Sequence, residues 1–228
     1  SFTAGASTTT FSGTTQSIGG TNSTTFAALV IDNGSATTMN NSNTCSSLSF
    51  TAGGSASSLT HGGSSVLTVN GAVTLNQPTG NATKAWNINA GSATVSGAVT
   101  MAGTATQNNR ISQIVLTTGT LNANGGISIA GTNTLTKVII MSGGASTINL
   151  KGTLSGSANA TLTAGTAGSI FNYADNASSQ TINFFGAGAY HNLHVNTTGG
   201  TGATLAAAIT TGNVTGNLRV QSGTLNNG

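Results

Sequence analysis

Few residues in this chain are equipped for chemistry. Asp32 and Asp175 are its only carboxylates, and there is no glutamate. Sugar hydrolysis and lyase chemistry need paired or clustered acids, often with a metal or a basic partner. Asp32 stands in V-I-D-N-G and Asp175 in N-Y-A-D-N-A, both turn contexts, where a side-chain oxygen accepts a bond from a nearby backbone amide. A turn role accounts for both. His191 and His194 flank Asn192-Leu193, and an i, i+3 pair on a strand falls on opposite faces, so the two do not chelate one metal. His61 precedes Gly62-Gly63 at a corner. Cys45 is the single cysteine, which rules out an internal disulfide and suits a half-buried strand position. There is no Asp-rich nonapeptide of the calcium-binding β-roll, no phosphate-cradling glycine loop opening a helix, and no G-x-S-x-G elbow with a histidine and an acid. The expectation is a chain that is not an enzyme and holds no cofactor and no metal.

The charge pattern narrows the partners. Charged residues make up 3% of the 228 and the formal net charge is +3, with a pI near 9.5 set by five basic residues and almost no acids. Lys84, Arg110, Lys137, Lys151 and Arg219 are scattered and form no patch. Nucleic-acid binding calls for clustered Lys and Arg with stacking aromatics, so no nucleic-acid partner is expected. No apolar run is long enough to span a membrane, and no membrane insertion is expected.

The elements that would position these residues are short strands. Val, Ile and Leu recur in brief runs bounded by Gly, Asn, Ser or Thr, as in S-V-L-T-V-N-G-A-V-T-L (65–75), W-N-I-N (86–89) and L-T-K-V-I-I-M (135–141). Apolar residues alternate with Ser, Thr or Asn, the period of a strand with one buried face, and no ten-residue window carries a helical period. Ala206 to Ile209 is the nearest to helical and is still read as strand. Asn-Gly and Gly-Gly pairs supply the positive-φ residues of tight corners. Near the two ends one pattern repeats: Gln16/Gln180, Ile18/Ile182, Phe26/Tyr190, Leu29/Leu193 and Ile31/Val195 share an offset of 164, so about 11–50 resembles about 171–220. Even spacing, few large aromatics and abundant Asn, Ser and Thr beside apolar positions favour stacked coils over two packed sheets. The fold class is all-β: a parallel β-solenoid (right-handed β-helix) filling 1–228 as one domain, with roughly ten coils of about 20 to 25 residues. An array of β-sandwich repeats is the alternative.

The segments T-T-F-S-G-T-T-Q-S-I-G-G-T (9–21), F-A-A-L-V-I-D-N (26–33), G-A-V-T-L (71–75), A-Y-H-N-L-H-V-N (189–196) and I-T-T-G-N-V-T-G-N-L-R-V-Q-S-G-T-L-N-N-G (209–228) resemble the β-strand repeat regions of very large bacterial cell-surface and secreted proteins, such as those of Bacteroidetes. The likeness covers about the first seventy and last fifty residues. It implies an extracellular β-helix of the kind used in adhesins, filaments and surface layers. In that family a segment ending like Ser222 to Gly228 commonly runs into one beginning like Ser1 to Gly5.

Three functions fit. The first is a structural fibre or surface stalk at the cell surface that self-associates by end-to-end stacking, because each end of a solenoid exposes an unpaired strand edge. Phe2, Thr10, Phe11, Leu218, Val220 and Leu225 are the expected axial contacts. The second is an adhesin for glycans or other surfaces, with Trp86 and Tyr173 as candidate ligand contacts. Tyr190 replaces Phe26 across the 164 offset and reads as packing. The third is ice binding through the Thr-x-Thr runs Thr104/Thr106, Thr132/Thr134/Thr136 and Thr161/Thr163, which lack a regular coil spacing.

Overall fold

A computed structural model describes residues 3–165, 168–175, 177–197 and 202–227. Phe2, one of the expected stacking residues, lies outside them. Among the described residues the strands form sheets of fourteen, eight and three members. Every strand pairing is parallel, from Thr3–Phe11 against Thr24–Ile31 to Gly202–Leu205 against Thr224–Asn226. Parallel neighbours need a crossover connection, and here each crossover is simply the rest of the turn. That excludes the sandwich alternative. The chain is a β-solenoid of about eight turns, one for each strand of the eight-stranded back sheet, against the expected ten; the front flank runs ten strands deep.

Side-chain alternation drives each turn. Val66–Val69 alternates exposed, buried, intermediate and buried along V-L-T-V, and Lys137–Met141 alternates likewise along K-V-I-I-M. The buried members stack in register. One interior column runs Phe26, Cys45, Val69, Val95, Ala123, Leu150, Tyr173, Val195, Val220. Cys45 is free and wholly buried in it, and burial pushes its thiol up to about 12. Outside, amide side chains stack too. Asn149 donates to Asn122 Oδ1 and Asn172 to Asn149 Oδ1, both at 2.9 Å, and Asn122 donates to Thr94 Oγ1 at 3.2 Å. Such a ladder satisfies polar groups that would otherwise compete with the backbone.

The turns are not of one length. Thr24 stands opposite Asn43, 19 residues on; Val66 opposite Ser92, 26 on; Ser92 opposite Thr120, 28 on; Ile170 opposite Asn192, 22 on. The range is wider than the expected 20 to 25. Part of the growth is visible at one corner. In Asn43–Phe50, only Ser46 and Ser47 separate the buried Cys45 and Leu48, and the strand stays continuous. One turn later Asn70, Gly71 and Ala72 separate Val69 from Val73, and the strand breaks in two; both halves pair with Asn43–Phe50. The front sheet therefore divides into two flanks from this turn onward.

Glycine makes the divided corner possible. Gly71, Gly97, Gly125 and Gly152 sit over one another in successive turns. A Cβ on Gly97 would lie 2.7 Å from the Gly71 carbonyl carbon and 2.9 Å from Ala72 N. None of the four has positive φ, so they meet the demand of close approach and not the left-handed conformation expected of an Asn-Gly corner. Gly34, with φ 84°, does meet that expectation. Ala206 to Ile209, read above as strand, is an irregular and mostly exposed connection.

The end-to-end likeness at offset 164 does not place residues alike. Gln16 belongs to the back sheet and Gln180 to the three-stranded sheet. Leu29 stacks on Leu48, whereas Leu193 stacks on Phe171. Gln180–Ile182 is tied to the preceding turns by side chains: Gln180 Nε2 donates to Leu150 O (3.1 Å) and Gly152 O (2.9 Å), and Asn183 Nδ2 to Leu154 O (2.8 Å).

Gly97→Ala should destabilise the fold by about 2 kcal/mol through overpacking against backbone. Gly5→Ala, where an added Cβ meets nothing within 4 Å, is the control and should change stability by less than about 0.5 kcal/mol. Denaturant midpoints of the two variants check this; equal effects would show that the corner stack is not tight.

Candidate functional site

The last described turn carries two of the four exposed large apolar side chains among the described residues, Leu218 and Val220. Leu218 pairs in register with Leu193 and Val220 with Val195. Leu193 and Val195 are 0% exposed, while Leu218 and Val220 are 43% and 44% exposed. The four side chains have the same chemistry and lie on the same face of the sheet. What differs is that no described turn follows the second pair. Leu225 stands over Ala203 in the adjoining sheet and is half-buried. Among the described residues, Leu218–Ser222 and Thr224–Asn226 each pair along one edge only.

The opposite end has the same character. Thr3–Phe11 pairs along one edge, with Thr24–Ile31. Phe11 stacks on Ile31 and meets Phe26 edge-on, with ring centroids 6.3 Å apart. Thr9, over the buried Leu29, is a further column end that the sequence reading missed. Thr10 shares a register position with Val30 and is exposed, so it faces sideways from the rod and not along its axis. Of the expected stacking residues, Phe11, Leu218, Val220 and Leu225 therefore lie at column ends.

The residues singled out for ligand contact sit elsewhere. Trp86 and Tyr173 are both 0% exposed, so neither presents a face to a glycan. Each fills the interior and satisfies its polar atom there. Trp86 Nε1 donates to His61 Nε2 at 3.2 Å. An indole only donates, so His61 Nε2 is the unprotonated nitrogen, and Nδ1–H points to Ser65 O at 3.4 Å. Burial drives the His61 pKa down to about 4. Tyr173 and Tyr190 hydroxyls lie 3.0 Å apart, and Tyr190 donates onward to Asn183 O. Phe171, Phe184 and Phe185 pack around Tyr190 with ring centroids 5.1 to 6.3 Å apart.

The acids and histidines are dispersed. No group of three or more metal-type ligands exists among the described residues. Asp32 Oδ1 accepts from Thr51 Oγ1 at 2.8 Å, and that hydroxyl is the main reason its carboxyl is held below the ordinary value. Its offset counterpart Asn196 accepts from Ser222 Oγ at 2.8 Å. Both close their strands by gripping the next turn. Asp175 organises a tight turn, accepting from Ala177 N and Ser178 Oγ. His191 lies before the strand Asn192–Asn196, which contains His194, so the two do not share a strand.

The Thr-x-Thr runs do not form ranks either. Thr104, Thr106, Thr132, Thr134 and Thr136 lie in connections, and only Thr161 and Thr163 lie in a strand. A rank does exist where none was foreseen: Thr25, Thr44, Thr68 and Thr94 stack in register on the front, continued by Asn122, Asn149 and Asn172. The uneven turn length hides it from any fixed-period search.

The scattered basic residues include an interior column that the sequence reading also missed. Ser57, Lys84, Ser112 and Lys137 stack in register, all buried. The signal was present: Lys84, Trp86 and Ile88 are in phase, as are Lys137, Ile139 and Met141. Lys84 Nζ donates to Ser55 O at 2.8 Å and to Asn33 Oδ1 at 3.0 Å. Burial lowers its pKa, and the Asp32 charge opposes that. Lys137 Nζ is buried without a protein partner, as are Ser57 Oγ and Ser112 Oγ, and burial brings Lys137 down to about 8.

Comparison of the chain with protein-family models, with curated proteins and with solved structures finds no match.

The His61 geometry sets an acid limit on stability. The unfolded chain takes up a proton near pH 6.5, whereas the folded site resists until about 4. Stability should therefore be full above pH 6.5 and fall as pH drops toward 4, by as much as about 3 kcal/mol. His61→Gln should flatten this part of the profile while lowering stability at neutral pH. Denaturant titrations between pH 7 and 4 read both; a wild-type profile flat over that range would show that His61 is not held neutral by burial.

Proposed function

We propose that this chain is a non-catalytic, extracellular structural protein, a fibre or surface-stalk subunit, in which the last turn of one copy receives the first turn of the next. The observation that carries the reading is the pair Leu218 and Val220: core-type side chains, in register with buried ones, with no described turn over them. Covering the two is worth on the order of 1 kcal/mol each, before the backbone bonds along the edge are counted. The occupant is a second copy because the two ends complement each other. Strands on both ends run the same way round the rod, so the edge left by Leu218–Ser222 has the polarity that Thr3–Phe11 offers from its open side. Arg219 is the only charge on the last two strands and the first described turn bears none, so no like charges oppose the contact. A head-to-tail contact of this kind does not close on itself and produces filaments. The cell-surface setting rests on the resemblance to bacterial surface repeat segments.

A second reading, a module that binds an ordered repeating surface, is favoured by one observation, the in-register rank Thr25, Thr44, Thr68, Thr94. Thermal hysteresis or retention on a crystalline polysaccharide would distinguish it, since neither requires association of the chain.

The stacking reading predicts species that lengthen with concentration in sedimentation velocity and appear as rods of multiple length by electron microscopy. Replacing Leu218 and Val220 together by Asp should weaken association at least about tenfold, because charges would be buried without partners. A wild-type chain that stays monomeric at every concentration, or a double variant that assembles as well as wild type, would contradict it.

A further inference from the structure

The environment of Lys84 holds more than a satisfied cation. Its Nζ lies 3.0 Å from Oδ1 of Asn33, a residue 51 positions earlier in the chain and two turns away. The same Oδ1 accepts the Ser55 backbone N–H at 2.8 Å. Two donors on one atom identify it as the oxygen of the amide. Only glycine at position 53 leaves room for that amide, since a Cβ there would come within 2.5 Å of Asn33 Cγ. Lys84 itself is 0% exposed. Burial favours its neutral amine, the nucleophilic form, while the charge of Asp32, next to Asn33 in sequence, pulls the other way. A buried amine held against a carboxamide that two donors polarise supplies both partners of an acyl transfer.

We propose that Lys84 and Asn33 form an intramolecular isopeptide bond, a covalent staple across the turns of the solenoid. The lone pair of neutral Nζ adds to Cγ of Asn33, and the carbonyl electrons move onto Oδ1, where the Ser55 N–H stabilises the developing negative charge. A proton passes from Nζ to Nδ2. The Nζ–Cγ bond has then formed, the Cγ–Nδ2 bond breaks, and Nδ2 leaves as ammonia. The balance is one amine and one primary amide in, one secondary amide and one ammonia out, with no oxidant or cofactor. The inference does not rest on end-to-end stacking.

Intact mass spectrometry of the denatured full chain tests it directly. The linked protein should weigh about 17 Da less than its sequence requires, the mass of one ammonia. Acylated Lys84 resists trypsin, and the sequence has no other Lys or Arg before Arg110, so digestion should yield a peptide spanning 1–110 in place of separate pieces ending at Lys84 and Arg110. Asn33 is followed by Gly34, a pair that also loses ammonia by closing to a succinimide. That reaction leaves Lys84 free and persists when the lysine is removed. The proposal therefore expects Lys84→Arg to restore the full mass. A chain of full sequence mass that is cut at Lys84 overturns it, and so does a loss of ammonia that survives Lys84→Arg. If that variant does not fold, the tryptic cleavage of the wild-type chain at Lys84 decides the question alone.

Discussion

In-register stacking of one turn on the next is the constraint from which the rest follows. Each strand obtains its backbone partners from the turns before and after it, and each interior side chain obtains its neighbours the same way. The column from Phe26 to Val220 makes the dependence visible. Among the described residues its middle members are covered on both sides and its last member on one. The closeness of the backbones also dictates residue type at the corners, where Gly71, Gly97, Gly125 and Gly152 leave no room for a side chain. A solenoid of this kind has no separate core and surface layers; core, corner and end are positions along and around one stack.

The stack handles polar residues by repetition. On the outside, Asn122, Asn149 and Asn172 satisfy one another turn by turn. On the inside, His61 and Trp86 pair, Tyr173 and Tyr190 pair, and Lys84 reaches back across two turns to Asn33. An interior that accepts lysine at all is one in which neighbouring turns bring carbonyl and amide oxygens within reach. Lys137 is the exception, buried with no protein partner for its Nζ.

Much of the fold was legible in the chain itself. V-L-T-V and K-V-I-I-M announce their buried faces by alternation alone, and the scarcity of large aromatics with abundant Asn and Thr pointed to stacked turns. The length of each turn was not legible, because it depends on corner insertions such as the residue added between Val69 and Val73, which leaves the local pattern intact. For that reason the constant offset joining Leu29 to Leu193 did not reflect a shared column, and the Thr25-to-Thr94 rank escaped notice. Trp86 and Tyr173 read as surface residues in the sequence because aromatics in polar surroundings resemble a sugar platform, yet both are buried. The rule of alternation, applied to Lys84-Trp86-Ile88, would have turned Trp86 inward and exposed the buried lysine at once. Leu218 and Val220 stand out in the sequence as an apolar alternation, in the strand Leu218–Ser222, and among the described residues they remain exposed.

Amide hydrogen exchange, followed residue by residue at low and high protein concentration, tests most directly that turns owe their order to their neighbours and that the first and last described strands are open along one edge. The account predicts protection that is highest in the middle turns at every concentration, and amides of Thr3–Phe11 and Leu218–Ser222 that exchange freely when dilute and become protected when concentrated. End strands that exchange freely at all concentrations beside a protected middle would show that the open edges find no partner in a second copy, and uniform exchange along the whole chain would contradict the stack itself.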